Sequence, residues 1–365
     1  MPVANPFTPS FGQVPPFMAG REHIISDLTH AFDTAGADPN LCTIFVGARG
    51  TGKTALLSYL SQEASSRGWV VADVSARPGM LEDIEQRAVE AGENLLSGTA
   101  AARVKGVKVA GVGVEWEYSQ PTRGNWRTRM NSLFNQLDKT DTGLLVTVDE
   151  VCVDLDEMVQ LASDYQHFVR EGRRVSLLMA GLPYKVSALL RNDSVSFLRR
   201  AQSHKLGRIA DYEIERALVK TVEHAGRSFA PDALDRAVEA IDGFPYMMQL
   251  VGYRAWEVSP DEETICPDDV ETGVRRACRE IRSRILETTY LELSDGDLRF
   301  LEAMLPDARE SSVADVAKRM GVASNYASQY KRRLLEDGVI GVRGRGKVAF
   351  DIPAFREYLQ EKLGE

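Results

Sequence analysis

Residues 47–54 read Gly-Ala-Arg-Gly-Thr-Gly-Lys-Thr and follow directly on the apolar run Leu41-Cys42-Thr43-Ile44-Phe45-Val46. Such a run is a buried strand, and Lys53-Thr54-Ala55-Leu56-Leu57 opens a helix. The glycines thus form the turn of a strand-turn-helix, the setting that a phosphate loop of spacing GxxxxGK[ST] requires. Its backbone N–H groups turn inward around a phosphate at the positive end of the helix. Gly47, Ala48, Arg49, Gly50, Thr51, Gly52, Lys53, Thr54 and Ala55 are the candidate nucleotide-binding residues. Lys53 would meet the β- and γ-phosphates as a point charge, and the Thr54 hydroxyl would face Mg²⁺.

A chain of 365 residues is expected to hold two or three domains. Its net charge of −9 argues against a surface that coats nucleic acid throughout, while leaving room for a local basic patch. No apolar stretch reaches bilayer length, and Met1-Pro2-Val3-Ala4-Asn5-Pro6 lacks the layout of a signal peptide, so a cytoplasmic protein with no membrane partner is expected. Cys42, Cys152, Cys266 and Cys278 show no paired spacing, which argues against a disulfide framework or a zinc site.

Residues 1–16 read as an extended arm, floppy or packed. Residues 17–210 alternate apolar runs (Leu41 to Val46, Trp69 to Val74, Leu144 to Val148, Val175 to Ala180) with amphipathic stretches, the pattern of an α/β core with a parallel sheet. Val104 to Tyr118 alternates with period two around Gly111 and Gly113 and reads as an inserted β-hairpin. From 211 to about 290 the periodicity is helical, and a further unit occupies 291–365.

Leu144-Leu145-Val146-Thr147-Val148 ends in Asp149-Glu150, a buried strand delivering two carboxylates. Behind a phosphate loop this is the Walker B arrangement: Asp149 for the metal, Glu150 to polarise the attacking water. The C-terminal stretch reads as three short helices, Ser294 to Leu305, Ser311 to Met320 and Ser324 to Glu336, each opened by a capping serine. Two strands around Gly344-Arg345-Gly346 follow. Three helices and a hairpin make a winged helix-turn-helix, whose third helix enters the major groove of double-stranded DNA. Asn325, Tyr326, Ser328, Gln329, Lys331 and Arg332 on that helix, with Arg343, Arg345 and Lys347 on the wing, are the candidate DNA contacts. Ala327, Tyr330 and Leu334 would face the core.

From Phe17 to Glu365 the chain resembles AAA+ and STAND P-loop ATPases, within them the origin-recognition/Cdc6-like initiators and related proteins that end in a winged helix. The resemblance implies a P-loop NTPase sheet of AAA+ type, a helical lid at 211–290 and ATP or ADP with Mg²⁺ as ligands. Phe17-Met18-Ala19-Gly20-Arg21-Glu22 resembles the box that seats adenine, which implicates Phe17, Met18, Gly20 and Arg21. Val175 to Gly181 takes the place of the sensor 1 strand but ends in Met-Ala-Gly, which implies slow hydrolysis. Arg200, with Arg199 second, stands where the family carries an arginine finger acting across a homo-oligomer. Gly243-Phe244-Pro245-Tyr246 resembles the lid turn of STAND proteins, which would bring Pro245 and Tyr246 to the nucleotide. The whole implies a slow ATPase switch that places a winged helix on DNA. A signalling protein whose winged helix binds protein, or a scaffold with negligible turnover, are the alternatives.

Overall fold

The computed structural model describes residues 4–10, 12–34, 38–96 and 125–364. The hairpin expected at 104–118 lies outside the described residues.

The first half is a doubly wound α/β layer. α1 (Glu22–Thr34), β1 (Cys42–Val46), α2 (Lys53–Ser66), β2 (Val70–Ser75) and α3 (Met80–Leu96) lead to α4 (Trp126–Leu137), β3 (Leu144–Asp149), α5 (Asp156–Arg170), β4 (Val175–Gly181), α6 (Pro183–Arg191) and β5 (Gln202–Lys205). The strands pair in the order β2-β3-β4-β1-β5, all parallel. Phe45, Leu145 and Leu178 pack against Leu28 of α1 and Leu60 of α2, while Ile44, Val146 and Leu177 pack against Ile84, Phe134 and Leu161 on the opposite face. Strands covered on both sides read as near-continuous apolar runs, as β1, β3 and β4 do, whereas β2 alternates buried and more exposed positions. β5 escaped that signal, because this edge strand is polar, Gln-Ser-His-Lys, and half exposed.

The helical segment comprises α7 (Asp211–His224), β6 (Ser228–Phe229), α8 (Pro231–Ile241), α9 (Pro245–Trp256), β7 (Thr264–Ile265) and α10 (Pro267–Ile281). A π turn at Arg282–Leu286 carries α10 into α11 (Glu287–Glu292) without a break. α10 rests tightly on α9, because a Cβ at Gly273 would stand 2.6 Å from the Ala255 nitrogen. The arm is packed. Phe7 is buried in the notch left by Gly252, Thr8 N–H donates to Gln249 Oε1 at 2.9 Å, and Asn5 Nδ2 donates to the Tyr253 carbonyl at 3.0 Å.

The C-terminal unit holds α12 (Asp295–Met304), β8 (Ser311–Ser312), α13 (Val313–Met320), α14 (Ser324–Glu336), β9 (Ile340–Gly344), β10 (Lys347–Phe350) and α15 (Phe355–Gly364), its strands antiparallel in the order β8-β10-β9. Of the three expected serine caps only Ser294 serves, in a capping box with Asp297. Ser311 instead pairs with Val348 in a short strand, and Ala323 precedes α14. Gly321, at φ +67°, makes the turn between α13 and α14. Ala327 and Leu334 are fully buried and Tyr330 is half-buried.

Candidate phosphate-binding site

β1 ends at Val46, and the Gly47 N–H donates to the Gly181 carbonyl at the end of β4. A Cβ at Gly47 would stand 2.6 Å from both the Leu206 carbonyl and Thr51 Oγ1, so only glycine fits. Gly50 and Gly52 turn the loop with φ of +77° and +85°, and α2 begins at Lys53. The Lys53 amine donates to the carbonyls of Gly47 at 2.9 Å and Ala48 at 2.7 Å, holding the loop closed. Burial, with some help from Arg49, pushes its pKa down to about 8, against the pull of Asp149 and Glu150.

Thr54, at the start of α2, donates to Asp149 Oδ2 at 2.5 Å, and Asp149 Oδ1 accepts the Glu150 N–H at 2.9 Å. Two segments far apart in sequence thus converge on one point. The hydroxyl and the carboxylate are hard oxygen donors of the kind Mg²⁺ takes beside phosphate oxygens. Glu150 is exposed, with its backbone at φ +58°, an unfavourable conformation for a residue with a side chain. The end of β4 is buried Met179-Ala180-Gly181 and offers no polar side chain.

The helical segment closes over the loop. The Phe244 ring lies where a Cβ at Gly50 would stand, 2.5 Å from it, and the Tyr246 N–H donates to the Gly50 carbonyl at 3.3 Å. Pro245, the first residue of α9, lies beside Gly52, 3.9 Å from the position of a Cβ there. Tyr246 Oη accepts from Arg284 of the π turn at 3.2 Å.

The segment resembling an adenine box bridges the two layers. Arg21 is buried and donates to the carbonyls of Gly20 at 3.1 Å and Gly207 at 2.9 Å, so its guanidinium is occupied in tying the turn after β5 to α1. Burial lowers its pKa, opposed by Glu213 and Glu22. Phe17 packs on α7, edge-on to His224 and beneath Lys220, whereas Met18 packs with the cluster of α1 and α2. Gly20, at φ +67°, abuts Glu213 of α7. Arg200 is exposed just before β5, whose Gln202 pairs with Thr43 near the start of β1. It therefore lies toward the end of the sheet opposite the phosphate loop and is not brought to this chain's own site. Arg199 donates to the Leu190 carbonyl at 2.8 Å and pairs with Asp193.

On α14, Asn325, Tyr326, Ser328, Gln329 and Arg332 are exposed and Lys331 is half-buried. Arg345 is exposed at the hairpin tip, but Lys347 pairs with Glu310 at 3.1 Å, Arg343 pairs with Asp351, and Arg332 lies 3.9 Å from Glu336. A cleft of about 880 Å³ separates this hairpin from the helical segment, with Arg343 and Asp351 on one wall and Asp211, Glu215 and Asp242 on the other. Neither the docking of Glu292 on Arg49 at 2.7 Å nor the approach of Gly338 to Ala48 had any local sequence signal.

A family model described as "Domain of unknown function (DUF8462)" matches residues 283–359. No curated protein sequence matches the chain. Among solved structures it is similar to the Walker-type ATPase PABY2304 of Pyrococcus abyssi, with 12% identity over 94% of this chain and 96% of that one and a TM-score of 0.67. It is also similar to the ORC2 protein of Aeropyrum pernix in its ADP form, with 15% identity over 98% of each chain and a TM-score of 0.57. The ADPNP-ADP complexes of that protein give 16% identity over 98% of each chain and a TM-score of 0.50. Likeness at this identity speaks for architecture, and with the parallel five-stranded sheet behind the phosphate loop it assigns the chain the fold of the AAA+ P-loop ATPases.

Proposed function

We propose that the chain is an ATP-binding, slowly hydrolysing AAA+/STAND switch, with residues 211–290 as lid and residues 291–365 as a winged helix that contacts double-stranded DNA. The observation that carries the nucleotide reading is the convergence of Lys53, Thr54 and Asp149 on the mouth of the glycine turn. The folds it is similar to include a Walker-type ATPase and an ADP-bound protein, which supports the same reading.

Lys53 exchanges its two backbone carbonyls for phosphate oxygens. Thr54 and Asp149 would hold Mg²⁺, which when bound neutralises charge on the β- and γ-phosphates. Glu150 orients and deprotonates the attacking water. No side chain at the end of β4 assists it, so turnover is slow. Arg200 serves a neighbouring copy in a homo-oligomer. Lys53→Ala abolishes nucleotide binding, while Glu150→Gln keeps binding and loses phosphate release. Wild-type affinity in Lys53→Ala would sink the site assignment, and equal turnover in Glu150→Gln would reduce the protein to a scaffold.

One observation favours a second reading. The cations Arg343 and Lys347 are already paired with Asp351 and Glu310. A hairpin with two of its three cations already paired suits a protein partner, as in a signalling ATPase. Duplex binding at low salt that weakens with added salt supports the DNA reading, and its absence with and without nucleotide favours the protein one.

A further inference from the structure

The left-handed turn at Glu150, φ +58°, falls on the residue that the hydrolytic reading assigns to the attacking water. The chain on either side fixes that turn. Before it, the Asp149 carbonyl accepts the Ala76 N–H beyond β2 at 2.9 Å, and Asp149 Oδ1 accepts the N–H of Glu150 itself at 2.9 Å. After it, the Val151 N–H donates to the Ala180 carbonyl of β4 at 3.0 Å. β3 lies between β2 and β4. A single residue therefore crosses from an anchor on the β2 side to an anchor on the β4 side, and it crosses left-handed.

The Val151 side chain holds the second anchor in place. It is fully buried, and a Cβ at Gly181 would stand 2.7 Å from its Cγ2 and 3.1 Å from Val186 Cγ2 of α6. Val151 thus fills the space that a side chain at the end of β4 would take. Gly181 is tied to the phosphate loop as well, because its carbonyl accepts the Gly47 N–H at 3.3 Å. The Glu150 carboxylate favours the charged forms of Lys53, where burial outweighs it, and of Arg49, where Glu292 leads, so it faces the same loop.

We propose that Val151, seated on the bare Cα of Gly181, is the positioning residue for Glu150, setting the turn that carries its carboxylate to the attacking water. This rests on the nucleotide reading above. Glu150 takes a proton from that water as the water oxygen bonds to the γ-phosphorus and the bond to the bridging oxygen breaks, leaving ADP and phosphate. The bare end of β4 thus has two effects: it withholds a polar helper, and it leaves the room in which Glu150 is aligned.

The test compares Val151→Ala, Gly181→Ala and the double variant in the full chain. It reads phosphate release at saturating Mg-ATP, equilibrium binding of a slowly hydrolysed Mg-ATP analogue, and hydrogen exchange across 149–152 in the free protein. Each single change should slow phosphate release about ten- to hundredfold and quicken exchange at 149–152, with analogue affinity held within about twofold. In the double variant the methyl group gained at position 181 fills room lost at position 151, so most of the rate and the slow exchange should return. Val151→Thr, which keeps the branched shape but buries a hydroxyl, should unfold at lower denaturant yet keep most of the rate. Wild-type release in both single variants, parallel loss of affinity and rate, or a double variant no better than the singles overturns the proposal. Failure of the wild type to bind the analogue at millimolar concentration overturns the phosphate-site reading itself. Binding with release no faster than in Glu150→Gln overturns the hydrolytic reading, and the positioning role falls with either.

Discussion

Burial strips the Lys53 ammonium of part of its hydration, and that gives the site a pH signature. In the free protein its amine loses a proton as pH rises through about 8. Bound phosphates stabilise the charged amine and raise its pKa, so above that point binding must take up a proton. Affinity for a triphosphate is therefore expected to be level below pH 8 and to fall above it, approaching about tenfold per pH unit. Binding constants measured from about pH 7 to 9.5 check this, and calorimetry in buffers of different ionisation enthalpy should show proton uptake. A flat profile would mean that Lys53 does not meet the phosphates. Lys53, Thr54 and Asp149 were legible in the sequence because each follows a strand or turn whose pattern is local. The occupation of Arg21 by the carbonyls of Gly20 and Gly207 was not, since it depends on where the turn after β5 lies. For Arg200, the register of β5 on β1 supplied what the sequence lacked.

At the scale of elements, strands covered on both faces announced themselves, whereas β5 and β8 did not, because edge pairing needs backbone groups and few apolar side chains. The arm is the instructive case. Its Pro-rich sequence left floppy and packed states open, and the choice was made by Gly252, whose missing Cβ leaves room for the Phe7 ring, 2.3 Å from where that Cβ would stand. The arm is thereby fixed to α9, whose first turn touches the phosphate loop. Phe7→Ala is expected to destabilise the protein by about 3 kcal/mol, the range of buried Phe-to-Ala changes. Gly252→Ala should expel the same ring from the other side and expose the arm to protease. Denaturant unfolding of Phe7→Ala within about 0.5 kcal/mol of wild type would show that the arm adds nothing to the helical segment.

Over the whole molecule the charge balance sets the terms on which nucleic acid could bind. The net charge is −9, and the β9–β10 hairpin faces a cleft whose far wall carries Asp211, Glu215 and Asp242. The cations of that hairpin were legible in the sequence; their partners Glu310 and Asp351 were not, since pairing across the hairpin base depends on β8 and on the end of β10. The Lys347–Glu310 pair is half open to solvent and so contributes only about 0–1 kcal/mol, little enough for a phosphate to displace. If the winged-helix reading holds, Glu310→Gln frees Lys347 without removing any candidate contact. Duplex affinity should then rise about two- to fivefold, and the slope of log K against log salt should steepen by about one unit as one more counterion is released. Arg345→Ala should shift both quantities the other way, because the exposed tip has no carboxylate to replace. Fluorescence anisotropy over a salt series, on the same duplex for all three proteins, reads both. Identical slopes across the series would place the DNA contact away from the hairpin, and absence of binding in every variant would leave the acidic cleft and its paired cations as a surface for protein.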